Sequence, residues 1–215
     1  LIPGKKRFNL HAMYAETGGA KVDRCDLEPS YYEGWIEWAK QQHIGLDFNP
    51  TFFSHPLAES GWTLAHADNN IRDFWIRHGK ASRRIAQSIA DALKDHVVNN
   101  LWVPDGYKDM PADRLGPRLR LKESLDAIYS EKLPNDRVLD SVESKLFGIG
   151  SEAYVAGSHE FYLGYASQKA IGLCYDMGHF HPTENVADKI SSTLLYVPYL
   201  ILHLSRGLRW DSDHI

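Results

Sequence analysis

One stretch of the sequence concentrates residue types that can do metal chemistry. The apolar run 171–175 predicts a buried strand, and Asp176 follows it directly. Gly178 then predicts a turn, after which His179 and His181 stand two residues apart. A carboxylate followed within three residues by an imidazole supplies oxygen and nitrogen ligands of the kinds that divalent metals take. The structural alternative is a turn with a solvated aspartate and a packed histidine.

Two further segments, 139–146 and 200–214, are predicted to contain strands. Each of them ends in carboxylates or histidine. With the first stretch they give a set of candidate metal ligands: Glu143, Asp176, His179, His203, Asp211 and Asp213. The carboxylates of this set bring four negative charges together, which two divalent ions would balance. Mixed oxygen and nitrogen ligation suits manganese, zinc, cobalt or magnesium. We expect two divalent ions, with Mn²⁺ as the first choice and Zn²⁺ or Co²⁺ as alternatives.

A network of ion pairs is the alternative to a metal centre. Lys145, Arg206 and Arg209 lie in the same segments, and they could pair with the carboxylates. Charges near a packed interior must be paired or bound to metal, because burying a bare charge costs several kcal/mol. These cations are fewer than the acids, and such a network gives no role to the histidines. The residues therefore favour the metal centre.

The elements that carry these residues alternate between strand and helix. Apolar runs predict strands over residues 7–14, 44–49, 100–105, 139–146, 171–175 and 200–205. Helical spacing of apolar residues is found over 30–41, 70–93, 117–133, 160–169 and 183–198. This alternation is typical of parallel βαβ units, and charged groups at several strand ends are typical of (β/α)₈ barrels. We expect an α/β protein, a single domain over residues 1–215, that forms an incomplete TIM-type barrel with about six parallel strands.

Composition and charge argue against several other classes of protein. The formal net charge of -4 gives no sign of the basic face that nucleic-acid binding requires. No run approaches the roughly 18 apolar residues of a membrane span. Two cysteines make no disulfide framework, which indicates a reducing compartment and a cytoplasmic protein. The phosphate-binding glycine motifs of common nucleotide folds are absent as well.

Long strings of this sequence resemble L-rhamnose isomerases. The strings that carry the resemblance are VESKLFGIG at 142–150, CYDMGHFHPTE at 174–184, LRWDSDH at 208–214 and GLDFNP at 45–50. The resemblance extends over nearly the whole chain. It implies a metal-dependent barrel enzyme that interconverts the sugars L-rhamnose and L-rhamnulose by a metal-assisted hydride shift. It also implies a homotetramer.

The resemblance further implies a role for single residues. It assigns to a structural metal the ligands Glu143, Asp176 and His203, and to a catalytic metal the ligands His179, Asp211 and Asp213. Lys145 matches a substrate-contacting lysine with a catalytic role, and Trp102 matches an aromatic wall of the sugar site. His11 matches a polar group near the sugar. In the family the structural metal takes a further aspartate beyond position 214, so we expect a fragment that is inactive in isolation.

Two other functions fit the same residues. A two-metal barrel hydrolase of phosphate esters would use the same ligands. It would also need a basic rim for the anion, and the charge balance does not favour one. A non-catalytic sugar-binding barrel is the second alternative, and it would show no turnover with Mn²⁺.

Overall fold

The structure is a computed structural model that describes residues 3–134, 136–145, 153–181 and 183–204. The strands within these ranges are β1 (Arg7–His11), β2 (Gly45–Asn49), β3 (Val97–Trp102), β4 (Gly106–Tyr107), β5 (Val138–Glu143), β6 (Tyr154–Val155), β7 (Gly172–Asp176) and β8 (Leu200–His203). The α-helices are α1 (Glu33–Gln42), α2 (Asn69–Leu93), α3 (Gly116–Tyr129), α4 (His159–Lys169) and α5 (Val186–Thr193). No helix in the described ranges combines the length and the apolar character needed to cross a membrane.

Six of these strands form one parallel sheet, in the order β1-β2-β3-β5-β7-β8. Every neighbouring pair in this sheet is parallel. The sheet curls into part of a barrel, which confirms the prediction of an incomplete α/β barrel with about six parallel strands. The short strands β4 and β6 pair antiparallel in a separate ribbon that joins the loops after β3 and β5.

Apolar side chains on the outer face of the strands pack beneath the helices. Leu46 and Phe48 of β2 are fully buried in one cluster with Ile85 and Ile89 of α2. The second cluster joins residues of β3, β5 and β7 to α2, α3 and α4. Because side chains alternate along a strand, the polar residues between these apolar ones belong to the opposite face, which is the interior of the barrel.

A buried ion pair ties α2 to the outer face of β5. The guanidinium of Arg83 donates to both carboxylate oxygens of Asp140, at 2.8 to 3.1 Å. It also donates to the carbonyl oxygens of Ile128 in α3 at 3.3 Å and of Glu131 at 2.6 Å. Asn99 of β3 donates to the same carboxylate at 3.2 Å. The pair therefore joins two strands and two helices without occupying the barrel interior.

The structure corrects several predicted element bounds. β3 spans Val97–Trp102 rather than 100–105. The strand ends before Pro104, which has no N–H to continue the hydrogen-bond ladder. Its first half was not predicted, because the polar Asn99 and Asn100 interrupt the apolar pattern. β1 ends at His11, where a 3₁₀ turn begins. The last helix begins at Val186 and ends at Thr193, within the predicted 183–198.

Candidate metal centre

The last residues of the six parallel strands lie side by side at the carboxyl end of the sheet, and we call them the strand-end row. In sheet order these residues are His11, Asn49, Trp102, Glu143, Asp176 and His203. Three neighbouring pairs stand in direct register, namely His11 with Asn49, Trp102 with Glu143, and Asp176 with His203. Parallel pairing therefore places residues from separate segments of the chain at one end of the sheet. Every residue of the row except Asn49 is one of the predicted site residues.

Glu143 lies at the centre of the polar cluster and is 3% exposed. Its Oε1 is 3.2 Å from Nδ1 of His179 and 3.6 Å from Nδ1 of His203. Its Oε2 accepts a hydrogen bond from the amide of Asn100 at 2.6 Å. Burial by itself would raise the pKa of Glu143, but hydrogen bonds and charge from His179 and His203 outweigh it and lower the pKa to about 2. The carboxylate is therefore ionised at neutral pH.

Asp176 faces the same space from the end of β7. Its Oδ1 accepts a hydrogen bond from the backbone N–H of Gly178 at 2.7 Å, which holds the turn predicted there. Its Oδ2 lies 3.6 Å from Nδ1 of His203 and 3.8 Å from Nε2 of His179. Contacts with Asp176, Cys174 and Glu143 raise the pKa of His203 well above its usual value, against the opposing effect of burial. Two buried carboxylates thus face two imidazoles.

His179 places both of its ring nitrogens in the polar cluster. Its Nδ1 lies 3.1 Å from the carbonyl oxygen of Ser144, which can only accept a hydrogen bond. Nδ1 therefore donates to this carbonyl, and Nε2 faces the Asp176 carboxylate. By contrast, His181 is exposed and its Nδ1 lies 2.7 Å from the Thr183 hydroxyl. Of these two histidines, His179 is the one that lies with Glu143 and Asp176.

The donor set fits a divalent metal ion. One oxygen of Glu143, one of Asp176 and one ring nitrogen of His179 all lie within 4.8 Å of one another. The same distance limit holds for a second group made of Glu143, Cys174 and His203. Carboxylate oxygens and imidazole nitrogens are the ligands that Mn²⁺, Zn²⁺ and Co²⁺ take. The predicted ligands Glu143, Asp176, His179 and His203 therefore supply a donor set that could hold a metal ion.

The predicted ligands Asp211 and Asp213 lie outside the described residues, as do Arg206 and Arg209. Lys145 is described, and it is 1% exposed. Its ammonium nitrogen lies 4.8 Å from the centroid of the Trp102 ring, within cation–π distance.

An aromatic wall stands beside these candidate ligands, and we define it as Phe53, Trp102 and His11. The Trp102 ring stacks on His179, with centroids 6.1 Å apart and planes 17° apart. Phe53 packs edge-on against Trp102 at 5.4 Å and against His11 at 6.2 Å. Burial lowers the pKa of His11, which favours its neutral form. A cavity of about 570 Å³ opens beside this wall, and its lining includes Phe53, Trp102 and Pro104.

Sequence reasoning missed three residues of this site. Asn100 holds Glu143, Phe53 belongs to the aromatic wall, and the thiol of Cys174 lies next to Glu143 and His203. Cys174 is fully buried, as predicted, and burial raises the pKa of its thiol to about 12. Its position two residues before Asp176 on one strand is the signal that could have placed it on the interior face.

Fold and site together define a class: an α/β protein of the TIM-barrel type with a cluster of carboxylates and histidines at the carboxyl ends of its strands. Solved structures of the same fold include a D-tagatose 3-epimerase-like protein, with a TM-score of 0.63 and 13% identity over 96% of this chain and 79% of that chain. A D-psicose 3-epimerase solved in the presence of D-fructose has a TM-score of 0.57 and 13% identity, over 92% of this chain and 62% of that one. At this identity the likeness is one of fold alone.

The particular family follows from the sequence as a whole. The family model described as L-rhamnose isomerase (RhaA) matches residues 1–215, and the chain belongs to that family. It is 59% identical to the L-rhamnose isomerase of Rhodopirellula baltica, over all of this chain and 50% of that protein. It is 57% identical to the enzyme of that name from Citrobacter koseri, over 51% of its length. The chain thus spans about half the length of the curated relatives it matches.

Proposed function

We propose that the whole protein to which this chain belongs is an aldose–ketose isomerase that interconverts L-rhamnose and L-rhamnulose. The observation that carries the proposal is the cluster of Glu143, Asp176 and His179 beside Trp102 and Lys145, in a chain of this family. Relatives that are 55% to 59% identical carry the name L-rhamnose isomerase. Because the chain spans half of those relatives, the activity is proposed for the whole protein.

The site is proposed to hold two divalent ions, with Mn²⁺ preferred and Zn²⁺ or Co²⁺ as alternatives. Glu143, Asp176 and His203 would hold the first ion, and His179 with Asp211 and Asp213 would hold the second. When bound, the ions would polarise the sugar carbonyl and stabilise negative charge on the sugar oxygens. The donor set of the described residues supports metal binding at this place, and the division of the ligands between two ions follows the resemblance to the family.

The isomerisation is proposed to proceed by a hydride shift. The hydrogen on C2 of the aldose moves with its electron pair to C1, the hydroxyl on C2 loses its proton, and the oxygen on C1 gains one. The Lys145 ammonium would stabilise negative charge that develops on oxygen during the shift. Trp102 and neutral His11 would orient the sugar, because their flat faces and ring nitrogens suit its apolar and hydroxyl groups.

The phosphate-ester hydrolase is the weaker alternative. It would require positive charge around the anion. The residues of the strand-end row instead carry two carboxylates, two imidazoles, an amide and an indole. The formal net charge of -4 points the same way. The proposed partner is therefore a neutral small sugar. A cytoplasmic location and a homotetramer complete the proposal, and light scattering on the whole protein would measure the assembly.

Substitution of the proposed catalytic-metal ligands tests the function. In the whole protein, His179→Asn and Asp211→Asn should each lower turnover of L-rhamnose by about 100-fold or more, because each removes a ligand to the ion on the sugar. Turnover would be measured with Mn²⁺ and with a chelator, and circular dichroism would report the fold. The matched control is His181→Asn, which changes an exposed histidine on the same segment and should leave turnover near normal. Near-normal turnover in His179→Asn, or hydrolysis of phosphate esters by the unaltered protein, would contradict the proposal.

A further inference from the structure

His78 joins separate segments of the chain at a place that the proposed mechanism does not use. It belongs to α2, and its side chain is fully buried. Its Nε2 accepts a hydrogen bond from the backbone N–H of Thr51 at 3.1 Å. Its Nδ1 lies 2.9 Å from the carbonyl oxygen of Arg24. Because a carbonyl oxygen only accepts, Nδ1 carries the proton and the ring is the neutral Nδ1–H form.

The segment held at Thr51 leads directly to the aromatic wall. Thr51 is fully buried and opens the loop that follows β2. Two residues further along, Phe53 packs against Trp102 and His11. The same short stretch is therefore fixed at one end by His78 and contacts the sugar site at the other.

The loop needs such an anchor because its backbone is strained. Ser54, which follows Phe53, has a φ of 54°, in the left-handed region that residues other than glycine adopt only at a cost. His55 then pairs with Asp23, whose Oδ1 lies 2.9 Å from its Nε2. Contacts on both sides of Ser54 thus hold a conformation that the local sequence does not favour.

We propose that His78 is a positioning residue for the aromatic wall: its hydrogen bond to the Thr51 amide fixes the loop that sets Phe53 against Trp102 and His11. This inference rests on the proposed sugar isomerase function. The wall is proposed to bind the sugar by packing, which acts on the ground state and the transition state alike. Loss of its position therefore raises KM and leaves kcat nearly unchanged.

Two substitutions separate the hydrogen bonds of His78. Gln at this position places an amide oxygen near the former Nε2 and can still accept from the Thr51 N–H. Asn places an amide N–H near the former Nδ1 and can still donate to Arg24, but it cannot reach Thr51. In the whole protein, His78→Asn should raise KM for L-rhamnose by about three- to tenfold, the effect of one lost hydrogen bond. His78→Gln should stay within about twofold of the unaltered protein.

The matched control removes a different buried hydrogen bond. Ser124 is 1% exposed and donates to the carbonyl oxygen of Leu64 at 2.7 Å, so Ser124→Ala destabilises the fold without touching the Thr51 contact. KM should not change in this variant. An equal rise in KM for Ser124→Ala, or for both His78 variants, would show a general loss of stability and overturn the positioning role. An unchanged KM in His78→Asn would overturn it as well.

A measurement without sugar keeps this inference distinct from the proposed function. Amide hydrogen exchange of peptides covering residues 51–53 should be faster in His78→Asn than in His78→Gln, because only the latter keeps an acceptor for the Thr51 N–H. If the unaltered protein does not turn over L-rhamnose, the proposed function fails. The exchange rates then still decide on His78, and equal rates in the two variants reject its role.

Discussion

The two carboxylate oxygens of Glu143 have different neighbours. One oxygen is held by a neighbouring strand, and the other faces the two histidines. Asn100 donates to Oε2, while its own amide oxygen accepts from the Ser141 hydroxyl at 2.8 Å. The other oxygen, Oε1, faces the rings of His179 and His203. A short polar chain between β3 and β5 therefore holds the carboxylate, so that one oxygen is directed at the candidate metal centre.

The substitution Lys145→Met tests the role of the ammonium group in turnover. In the whole protein this change should lower kcat by about 100-fold, with a smaller rise in KM, because the ammonium meets charge that develops mainly in the transition state. Steady-state kinetics with L-rhamnose and Mn²⁺ would measure both constants. Lys108→Met, a change at an exposed lysine, is the control and should alter neither. A change confined to KM would make Lys145 a binding group only.

His78 should make the stability of the folded protein sensitive to acid. Burial lowers the pKa of His78 to about 4, from an unperturbed value of 6.5. Between these two values the unfolded state binds more protons than the folded state, so stability falls as the pH falls from about 6.5 to about 4. The loss amounts to roughly 3 kcal/mol for a shift of this size. Above pH 7 this contribution is fully present.

Chemical denaturation of the whole protein and of His78→Gln at pH 7, 5.5 and 4 would measure this loss. The advantage of the unaltered protein over the variant should shrink as the pH falls, since glutamine does not titrate. Other titrating groups are common to both proteins and cancel in the difference. A difference that is constant over this pH range would show that His78 is not held neutral in the fold.

Residue types and strand alternation predicted a cluster of carboxylates and histidines, and the structure brings Glu143, Asp176 and His179 together. Asn100 and Phe53 escaped prediction, because their roles depend on which strand lies next to which and on how a long loop folds. Lys145 is predicted to contact the sugar, and its contact with Trp102 depends on the pairing of β3 with β5. Asp211 and Asp213 stay predictions.

Three of the helices end in a residue other than glycine that has left-handed backbone geometry. The C-caps of α1, α2 and α4 are His43, Lys94 and Ala170, with φ between 52° and 54°. Glycine is the usual residue at such a position, because a Cβ atom is strained there. The usual glycine signal for a helix end was therefore missing. Helix spacing still located α1, α2 and α4 to within a few residues, whereas the polar strand β3 was displaced by three.

Ala170→Gly should stabilise the fold through the end of α4. Ala170 is exposed, so the change relieves the strain of the left-handed backbone and removes little packing. We expect a gain of about 0.5–1 kcal/mol, reduced by the greater entropy of glycine in the unfolded chain. Thermal denaturation would measure it. Gln168→Gly, at an exposed position inside the same helix, is the matched control and should destabilise by about 0.5–1 kcal/mol. Equal losses for both variants would contradict the strain at Ala170.

At the scale of the whole molecule, the described sheet has two edges that carry exposed apolar residues. β1 pairs only with β2, and β8 pairs only with β7, within the part of the chain that the structure describes. Near the first edge Tyr14 is 43% exposed, and near the second Leu204 is 74% exposed. Barrels remove such edges by closing the sheet on itself. The chain spans about half the length of the curated relatives it matches.

The isolated 215-residue chain should differ from the whole protein in aggregation and in isomerase activity. An unpaired strand edge offers backbone N–H and C=O groups to any other strand, and the apolar residues beside it strengthen that contact. We therefore expect the isolated chain to aggregate, and to show less than about 1% of the isomerase activity of the whole protein, since an open barrel leaves its strand-end ligands less firmly held. Size-exclusion chromatography and turnover of L-rhamnose with Mn²⁺ would measure the two effects in parallel samples. The whole protein should elute as one defined species and be active. If the isolated chain were monodisperse and turned over L-rhamnose steadily, the six described strands would suffice for the site, and barrel closure would not be required for activity.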